Sequence, residues 1–340
     1  MGAIILRSLS KASAAAIGPG LVLTTAIAIA AFAAHKLPGL SLFNPMVLGL
    51  AIGIAWRNVA GLPLRFVTGL VFSQRTILRA AIALLGLQIT AADILGVGAV
   101  GLAIVVVTLV VTFVVTIRLG RLMKIDSGLV ELLAAGTSIC GASAIVAINT
   151  VTRARDEDVA YAVACITVCG SIAIFVFPAV SSLAHMTDRA YGLWAGSSIH
   201  EIAQVVAAAY QGGPIAGAFA TIVKLTRILM LGPMVLVLGL LAARRVASAP
   251  TGPRQVARFP WFIAGFLALA AMNSVASIPT PTMDAIRLVT TFLLSVALSA
   301  FGLGVNVGLI RSAGTRPFLL CVLASLFIAG LSLGLIALTS

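Results

Sequence analysis

Residues 135–149 read AGTSICGASAIVAIN, and residues 195–209 read AGSSIHEIAQVVAAA. Both stretches begin with Ala-Gly, a hydroxyl residue, Ser and Ile, and they lie 60 positions apart. Each places glycine and polar residues inside a segment that is otherwise apolar and long enough to cross a bilayer. We interpret these two broken-helix motifs, residues 128–150 and 190–211, as paired halves of one site.

The overall composition indicates a membrane protein. Of 340 residues, 61% are hydrophobic and only 9% are charged, which no soluble domain of this length shows. Continuous apolar runs such as residues 103–117 exclude the alternating pattern of a β-barrel. We therefore expect an all-α, polytopic fold that forms a single transmembrane domain over residues 1–340. Four cysteines in apolar segments predict neither a disulfide framework nor a metal site: Cys140, Cys165, Cys169 and Cys321.

Eleven apolar runs are candidate transmembrane helices. They cover approximately residues 17–35, 43–57, 76–91, 97–117, 128–149, 158–180, 190–210, 216–243, 259–277, 285–305 and 317–339. With a cytoplasmic N-terminus, sixteen of the 22 basic residues fall in inside stretches, and three, Lys36, Arg153 and Arg155, fall outside. This asymmetry predicts a cytoplasmic N-terminus and a periplasmic C-terminus. The net charge of +13 is then a topology signal and not a sign of nucleic-acid binding.

A second internal similarity relates residues 43–98 to residues 259–314, at a spacing of 216. The matched spans, the second and the ninth, run in opposite directions through the membrane, as in the inverted repeats of secondary transporters. The two broken-helix motifs lie in the fifth and seventh spans, which run in the same direction. Simple inverted symmetry would oppose them. Three explanations stay open: one motif is re-entrant, the likeness is convergent, or the register is misleading.

Glycine and hydroxyl residues near the middle of a span predict half-helix boundaries with N-caps. The exposed N–H groups and the positive dipole end of such a half-helix bind anions. Close packing of helices through small residues explains the same pattern without a ligand. The substrate-binding candidates are Gly136, Thr137, Ser138, Cys140, Gly141, Ser143, Gly196, Ser197, Ser198 and His200.

One acid near the middle of a span is the strongest single signal, because a buried carboxylate is costly and is usually retained for function. We expect Glu201 to carry the coupling ion, either a proton or Na⁺, together with Gln204 and Asn149. The alternative is a structural glutamate that pairs with a basic side chain.

Several polar residues in other spans are secondary candidates. For Lys224 and Arg227 three roles stay open: an ion pair with Glu201, contact with an anionic substrate, or snorkelling to the interface. Gln88 and Asn306 lie at matched ends of the third and tenth spans and could line one cavity. Hydrogen bonding between helices explains them equally well.

An enzymatic function is disfavoured. Ser198, His200 and Glu201 are the residue types of a catalytic triad, but neighbours on one helix point in different directions. The chain contains no HExxH, P-loop or GxGxxG motif. We expect no cofactor beyond a coupling Na⁺ ion. The expected partners are a small inorganic or organic anion and the lipid bilayer, without nucleic acid, and a homodimer is compatible with the sequence.

Four stretches together resemble one bacterial family: ALLGLQIT at 83–90, SICGASAIVA at 138–147, SSIHEIAQVVAA at 197–208 and FPWFIAGFLALAAMNS at 259–274. They resemble, over essentially the whole chain, the inner-membrane proteins labelled sulfate exporters of the YeiH type. That family is distantly similar to the bile-acid sodium symporters and Na⁺/H⁺ antiporters. The resemblance implies two discontinuous helices that cross near the midplane, between a core and a panel domain.

The match to the second crossing helix rests on an acid followed three residues later by Gln, here Glu201 and Gln204. The chain departs from the superfamily because its motifs lie only 60 residues apart, so helix order and sodium sites do not transfer directly. We expect a secondary active exporter of a small anion, such as sulfate, sulfite or an organosulfonate. It would work by alternating access coupled to H⁺ or Na⁺. A small-anion channel and a membrane scaffold without transport are the alternatives.

Overall fold

The computed structural model describes residues 14–231, 233–234, 237–238, 261–276, 278–305 and 315–339. Helices are the only regular elements in these ranges. In chain order they are α1 (Ala14–His35), α2 (Pro45–Val59), α3 (Leu64–Gln88), α4 (Ala91–Leu95), α5 (Gly98–Leu122), α6 (Ser127–Cys140), α7 (Ala142–Thr152), α8 (Asp156–Leu183), α9 (Asp188–Ser198), α10 (Ile202–Ala209), α11 (Pro214–Leu229), α12 (Trp261–Val275), α13 (Thr280–Gly304) and α14 (Thr315–Thr339). Asn306 lies outside the described residues.

The chain is an all-helical membrane protein. Six of the described helices are long and apolar enough to cross a bilayer, namely α1, α3, α5, α8, α13 and α14. Helix α5 shows how the sides of such a helix differ. It exposes Val107, Val110 and Val114, whereas Thr108 and Thr112 on its other side are fully buried. Apolar residues therefore face outwards and hydroxyls face the protein, which is the arrangement that a lipid environment favours.

Polar caps begin several helices where the sequence has N-cap residues. Asn44 Oδ1 accepts a hydrogen bond from Val47 N at 3.0 Å at the start of α2. Asp126 Oδ1 accepts from Gly128 N at 3.0 Å at the start of α6, and Thr187 caps α9 in the same way. These caps satisfy N–H groups that a helix start leaves without an intrahelical partner.

The third helix is longer than the sequence predicted. The predicted span began at residue 76, but α3 already starts at Leu64 and includes a π-helical turn at Ser73–Ile77. The polar residues Gln74 and Arg75 suggested a loop there. Instead, Gln74 Nε2 donates a hydrogen bond to Ala300 O of α13 at 2.9 Å, so the neighbouring helix accommodates a polar side chain inside the helical segment.

The helices form two groups. Helices α1, α2, α3, α12 and α13 pack mainly on one another, and we call them the panel. Glycines let their backbones approach: a Cβ built on Gly53 would lie 2.5 Å from Ser299 O. Helices α5 to α11 and α14 form the second group, the core. Helix α10 of the core packs against α2 and α13, where Asn44 Nδ2 donates to Ala207 O at 3.2 Å.

Helices α6 and α7 form a helical hairpin, which we call hairpin 1. Thr152 Oγ1 donates a hydrogen bond to Glu131 Oε2 at 2.6 Å. In a straight helix these two residues would lie about 30 Å apart. The reversal occurs at Gly141, whose φ of 73° and ψ of −134° are readily adopted only by glycine. The two arms of hairpin 1 therefore begin and end at the same level.

Helices α9 and α10 form hairpin 2. Tyr191 Oη, near the start of α9, donates to Ala208 O near the end of α10 at 2.9 Å. A Cβ built on Gly212 would lie 2.7 Å from the Tyr191 ring. Between the arms the backbone is extended at Ile199 and at Glu201. The second motif therefore also turns back on itself.

These contacts show that motifs 128–150 and 190–211 each reverse direction, whereas the sequence interpretation counted them as the fifth and seventh spans. A reversal within the motif is the geometry that re-entry, one of the three explanations left open, requires. Only α8, with 28 residues, separates the two hairpins. Hairpin 1 leads into the first residues of α8, and hairpin 2 follows its last residues. The hairpins therefore start from opposite ends of a helix that is long enough to cross a bilayer, and they point towards each other. The supposed parallel direction of the motifs, which conflicted with inverted symmetry, therefore disappears.

Disulfide crosslinking tests hairpin 1. A Cβ built on Gly128 would lie 3.0 Å from Ala154 Cβ, close to the separation of a disulfide. We expect the double variant Gly128→Cys, Ala154→Cys to crosslink within one chain under mild oxidation, as measured by a gel-mobility shift that reducing agent reverses. The control pair Gly128→Cys, Ser143→Cys lies about 20 Å apart along the arms and should stay reduced. Crosslinking of the control alone would contradict the hairpin.

Candidate functional site

The tips of the two hairpins meet in the core. Glu201, at the tip of hairpin 2, is only 5% exposed. Its Oε1 atom accepts a hydrogen bond at 3.3 Å from Ala142 N, the first amide of α7 in hairpin 1. A Cβ built on Gly141 would lie 2.4 Å from Glu201 Cγ, so only glycine leaves room for this contact. A carboxylate from one hairpin thus neutralises a helix N-terminus of the other.

The same carboxylate group begins α10. Glu201 is the N-cap of α10 and forms a capping box with Gln204, whose Oε1 accepts from Glu201 N at 3.2 Å. Gln204 Nε2 donates in turn to Thr167 O in the middle of α8, at 3.1 Å. Gly170 makes this approach feasible, because a Cβ there would lie 1.8 Å from Gln204 Oε1. Gln204 therefore fixes the tip of hairpin 2 against α8.

Two fully buried cations of α11 hold the other ends of the broken helices. Lys224 Nζ donates to Ile139 O at 3.0 Å and to Ile199 O at 2.8 Å. Both carbonyls belong to hairpin tips, where the helical hydrogen-bond pattern ends. Lys224 therefore links hairpin 1, hairpin 2 and α11 at one atom, and its charge favours the negative ends of α6 and α9.

Arg227 lies one turn further along α11 and makes the larger set of contacts. Its Nη2 donates to Ser138 O at 2.8 Å and to Thr137 O at 3.2 Å in hairpin 1. Its Nη1 donates to Gly196 O at 3.2 Å and to Ile199 O at 3.3 Å in hairpin 2. The planar guanidinium suits this task because it presents several donors in a fixed geometry.

These contacts decide between the roles that the sequence left open for Lys224 and Arg227. Both side chains are 0% exposed, so neither snorkels to an interface. Neither forms an ion pair with Glu201 within 4.0 Å among the described residues. Two cations hold the C-terminal ends of the broken helices, and one acid holds the N-terminal ends. With all three groups ionised, the site has an excess of one positive charge.

The hydroxyl candidates bond mostly within the protein framework. Thr137 Oγ1 and Ser138 Oγ donate to carbonyls four residues earlier, at 2.8 and 2.6 Å. Ser197 Oγ donates to Trp194 O at 3.2 Å, and Ser198 pairs with Ser332 of α14. Hydroxyls in helices commonly satisfy themselves in this way. In this conformation these four hydroxyl groups are therefore already engaged and do not converge on one point.

The helix boundaries differ in detail from the predicted ones. The sequence placed half-helix boundaries at Gly136, Gly141 and Gly196. The N-caps of the second arms are Gly141, which is one of these three, and Glu201, which is not. Gly196 lies inside α9, where a Cβ would stand 2.6 Å from Ala220 O, so this glycine serves close packing against α11. Gly136 begins the π-helical turn that ends at Cys140, which is buried at the tip.

Other candidates lie away from the tips. Asn149 is near the base of hairpin 1, where its Oδ1 accepts from Ala154 N at 2.8 Å, so it does not join Glu201 and Gln204. Ser143 is in the first turn of α7 with an exposed side chain. Gln88 is at the end of α3 in the panel. The reversal at Gly141 separates Asn149 from the tip by about 12 Å of helix.

Three buried atoms around the tips have no hydrogen-bond partner in the described part of the chain: Glu201 Oε2, His200 Nδ1 and Arg227 Nε. The opposite ring atom, His200 Nε2, is 2.8 Å from Ser325 Oγ of α14. Unpaired buried polar atoms are uncommon, because each costs roughly 1–3 kcal/mol. All three belong to residues of the hairpin tips or to the side chain that contacts both tips, so these unpaired polar atoms concentrate in one region.

Sequence reasoning missed the central position of Lys224 and Arg227 and the contribution of Gly170. Lys224 and Arg227 are three positions apart and share one helix face, which is a usable signal. The partners of these cations are backbone carbonyls, which no side-chain pattern reveals. Gly170 is one of 32 glycines and carries no distinguishing local signal.

Comparison with known proteins gives the family. A family model described as conserved hypothetical protein 698 matches residues 19–321. A UPF0324 membrane protein of Bacillus cereus is 34% identical over 306 residues, which are 90% of each chain. The chain belongs to the UPF0324 membrane protein family. Further UPF0324 relatives are 34% identical in Oceanobacillus iheyensis, over 93% of this chain and 94% of that one, and in Brucella suis, over 94% and 95%.

The family match includes both hairpin tips and α11 of this UPF0324 protein, whereas Ser325 and Ser332 of α14 lie beyond its last residue. Both hairpins and α11 fall inside residues 19–321. The relatives are named as membrane proteins, in agreement with the apolar helices of the structure. The hairpin tips and α11 are therefore part of the family domain.

Replacing Arg227 tests how strongly the tips depend on it. Arg227→Met leaves four buried carbonyl contacts without their donor, so we expect a loss of about 3 kcal/mol or more in the free energy of unfolding. The measurement is thermal unfolding of the purified protein in detergent. Arg287→Met removes an exposed ion pair from α13 and should change stability by less than about 0.5 kcal/mol. Equal effects of the two variants would contradict the assigned role.

Proposed function

We propose that this UPF0324 protein is a secondary active transporter that exports a small anion by alternating access. The observation that carries the proposal is the meeting of two hairpin tips around buried Lys224, Arg227 and Glu201. Ionisable side chains inside a membrane protein are costly and usually mark an ion or substrate pathway. Backbone that is not helical at membrane depth is tolerated where it is buried or lines a cavity.

The proposed topology has nine crossing helices and two re-entrant hairpins, with the N-terminus in the cytoplasm of a bacterial inner membrane and the C-terminus in the periplasm. Charge supports it. Compared with eleven crossings, Arg153 and Arg155 move to the inside and Arg189 moves to the outside, so that seventeen basic residues lie inside and two outside. The asymmetry is therefore stronger than for eleven spans, as the distribution of Lys and Arg in membrane proteins requires.

Inverted repeats follow from the same topology. Two units of this topology share α8. The first consists of α5, hairpin 1 and α8, and the second of α8, hairpin 2 and α11. The two units enter the membrane from opposite sides, in agreement with the 60-residue spacing of the motifs. Residues 43–98 and 259–314 supply the second inverted pair. Substrate and coupling-ion sites of such transporters lie near the midplane at the interface of the repeats. In the proposed topology the hairpin tips would lie there.

The division into panel and core supports alternating access. Hairpins, α8 and α11 are tied together by Lys224, Arg227 and Gln204, so they would move as one body. The core meets the panel mainly where α10 packs on α2 and α13. Motion of the core against the panel would carry the tips from one side of the membrane to the other.

The chemistry of the tips favours an anion. Two cations face one carboxylate, and two helix N-termini point to the same locus, so an anion finds charge and N–H donors there. Sulfate, sulfite or an organosulfonate fits these donors. Glu201, supported by Gln204, would carry the coupling H⁺ or Na⁺. The proposal assigns no catalysis: Ser198 pairs with Ser332 and His200 with Ser325, so these residues do not form a triad.

Transport in proteoliposomes tests this function. We expect labelled sulfate, sulfite or methanesulfonate to exchange across the membrane, and an imposed pH or Na⁺ gradient to drive accumulation. Glu201→Gln should abolish the driven accumulation and leave exchange measurable, because the coupling charge is lost while the tips stay in contact. The matched control, Glu131→Gln at the base of hairpin 1, should accumulate the anion as the unmodified protein does.

Two results would overturn the proposal. Undiminished accumulation by Glu201→Gln would remove the coupling role of the carboxylate. Absence of flux with every anion tried, in vesicles that contain folded protein, would remove the transporter.

A further inference from the structure

We infer that the Glu201 carboxylate is the resident occupant of the anion site, and that the substrate anion binds only when Glu201 has taken up a proton and left Ala142 N. This inference rests on the proposed transport function and adds the order of events at the site. The carboxylate and the transported anion then compete for the same donors. A proton and an anion consequently bind together.

The donors around Glu201 are those of an anion site. Glu201 Oε1 accepts from Ala142 N, which begins the eleven-residue helix α7. The capping box directs the same carboxylate to the first turn of α10. Both helices present the positive ends of their dipoles, and an anion at a helix N-terminus is stabilised by N–H groups and dipole together. A side chain of this chain fills the position that a free oxyanion would take.

The site is only partly satisfied by its resident. Glu201 Oε2 is buried without a partner in the described part of the chain, and so is Arg227 Nε. Lys224 Nζ carries three N–H donors, and two of them donate to the carbonyls of Ile139 and Ile199, so one is left. An ion with three or four oxygens can accept more hydrogen bonds than one carboxylate does here. The unpaired donor Arg227 Nε and the third N–H of Lys224 thus point to an acceptor other than Glu201, whereas the unpaired acceptor Glu201 Oε2 is open to a proton.

The surroundings favour a proton over Na⁺ as the ion that releases Glu201. The charged and titratable groups at the two tips, besides Glu201, are Lys224 and Arg227 from α11, Cys140 from hairpin 1 and His200 from hairpin 2. From α8, the Thr167 carbonyl is already bonded to Gln204. Na⁺ would need several oxygen ligands and would be repelled by both cations. A proton needs only the carboxylate.

The step balances in charge and atoms. The carboxylate takes one proton and becomes a neutral carboxylic acid, and the O–H bond is the only covalent bond formed. The anion then supplies the negative charge that Glu201 withdraws from Ala142 N, so the net charge of the tips is kept for a monovalent anion. Proton and anion therefore move in the same direction, and their combined gradients set the direction of net flux.

Binding of sulfate and of methanesulfonate to the purified, full-length protein tests the competition, because both probes keep a fixed charge between about pH 5 and pH 8. For the unmodified protein we expect the affinity to fall by about tenfold for each pH unit in the range where Glu201 is ionised. Glu201→Gln should bind tightly and without pH dependence. Its amide is neutral and has nearly the same shape as the carboxylate, so the fold is retained while Ala142 N is held too weakly to exclude the anion. Glu131→Gln and His200→Gln should keep the pH dependence.

A second measurement uses the unmodified protein alone. Titration calorimetry in buffers of different ionisation enthalpy counts protons, and we expect uptake of about one proton per anion near neutral pH. Binding without proton uptake and without pH dependence would overturn the competition and leave the transport function standing. Loss of the pH dependence in His200→Gln, or no binding of either probe to folded Glu201→Gln, would also overturn it. Absence of flux would instead defeat the proposed function itself.

Discussion

A helix that stops inside a membrane leaves carbonyl and N–H groups that lipid cannot satisfy, and this constraint governs the structure. The chain meets this constraint four times, because each hairpin tip contains the last carbonyl groups of one helix and the first N–H groups of the next. Lys224 and Arg227 supply donors to the carbonyl ends, and Glu201 supplies an acceptor to the amide ends. Because each of these side chains contacts both hairpins, the tips are held against each other by the groups that satisfy them.

The same arrangement links stability to the proposed transport. A buried charge normally lowers stability through its desolvation cost. Here the buried charges lie where backbone N–H and carbonyl groups need hydrogen-bond partners. A site built in this way is complete only while the tips touch, so any ligand that enters must replace one of the internal partners. Glu201 is the replaceable one, because its carboxylate can be neutralised by a proton, whereas Arg227 stays charged under all physiological conditions. The panel, packed through glycines such as Gly53, gives the core a packing surface at α2 and α13.

Hydropathy predicted the helices well, since apolar length is a property of each segment alone. Charge placement drew attention to Glu201, which lies at the meeting point of the tips, but not to the contacts of Arg227, whose partners are backbone carbonyls from segments far apart in sequence. The reversal of the chain within each motif could not be predicted. A glycine that interrupts a straight helix and a glycine at a reversal, as Gly141 is, look alike in sequence. The distinction is made by long-range contacts such as Glu131 with Thr152.

The most direct test of tip-to-tip hairpins is the side of the membrane on which their bases lie. The native cysteines in the described structure are buried, so single cysteines at Ser127, Arg155, Ala184 and Ile215 can be labelled with an impermeant thiol reagent. The account predicts that Ser127→Cys and Arg155→Cys react from one side, and Ala184→Cys and Ile215→Cys from the other. Reaction of Ser127→Cys and Arg155→Cys from opposite sides would mean that residues 127–152 cross the membrane, and would contradict it.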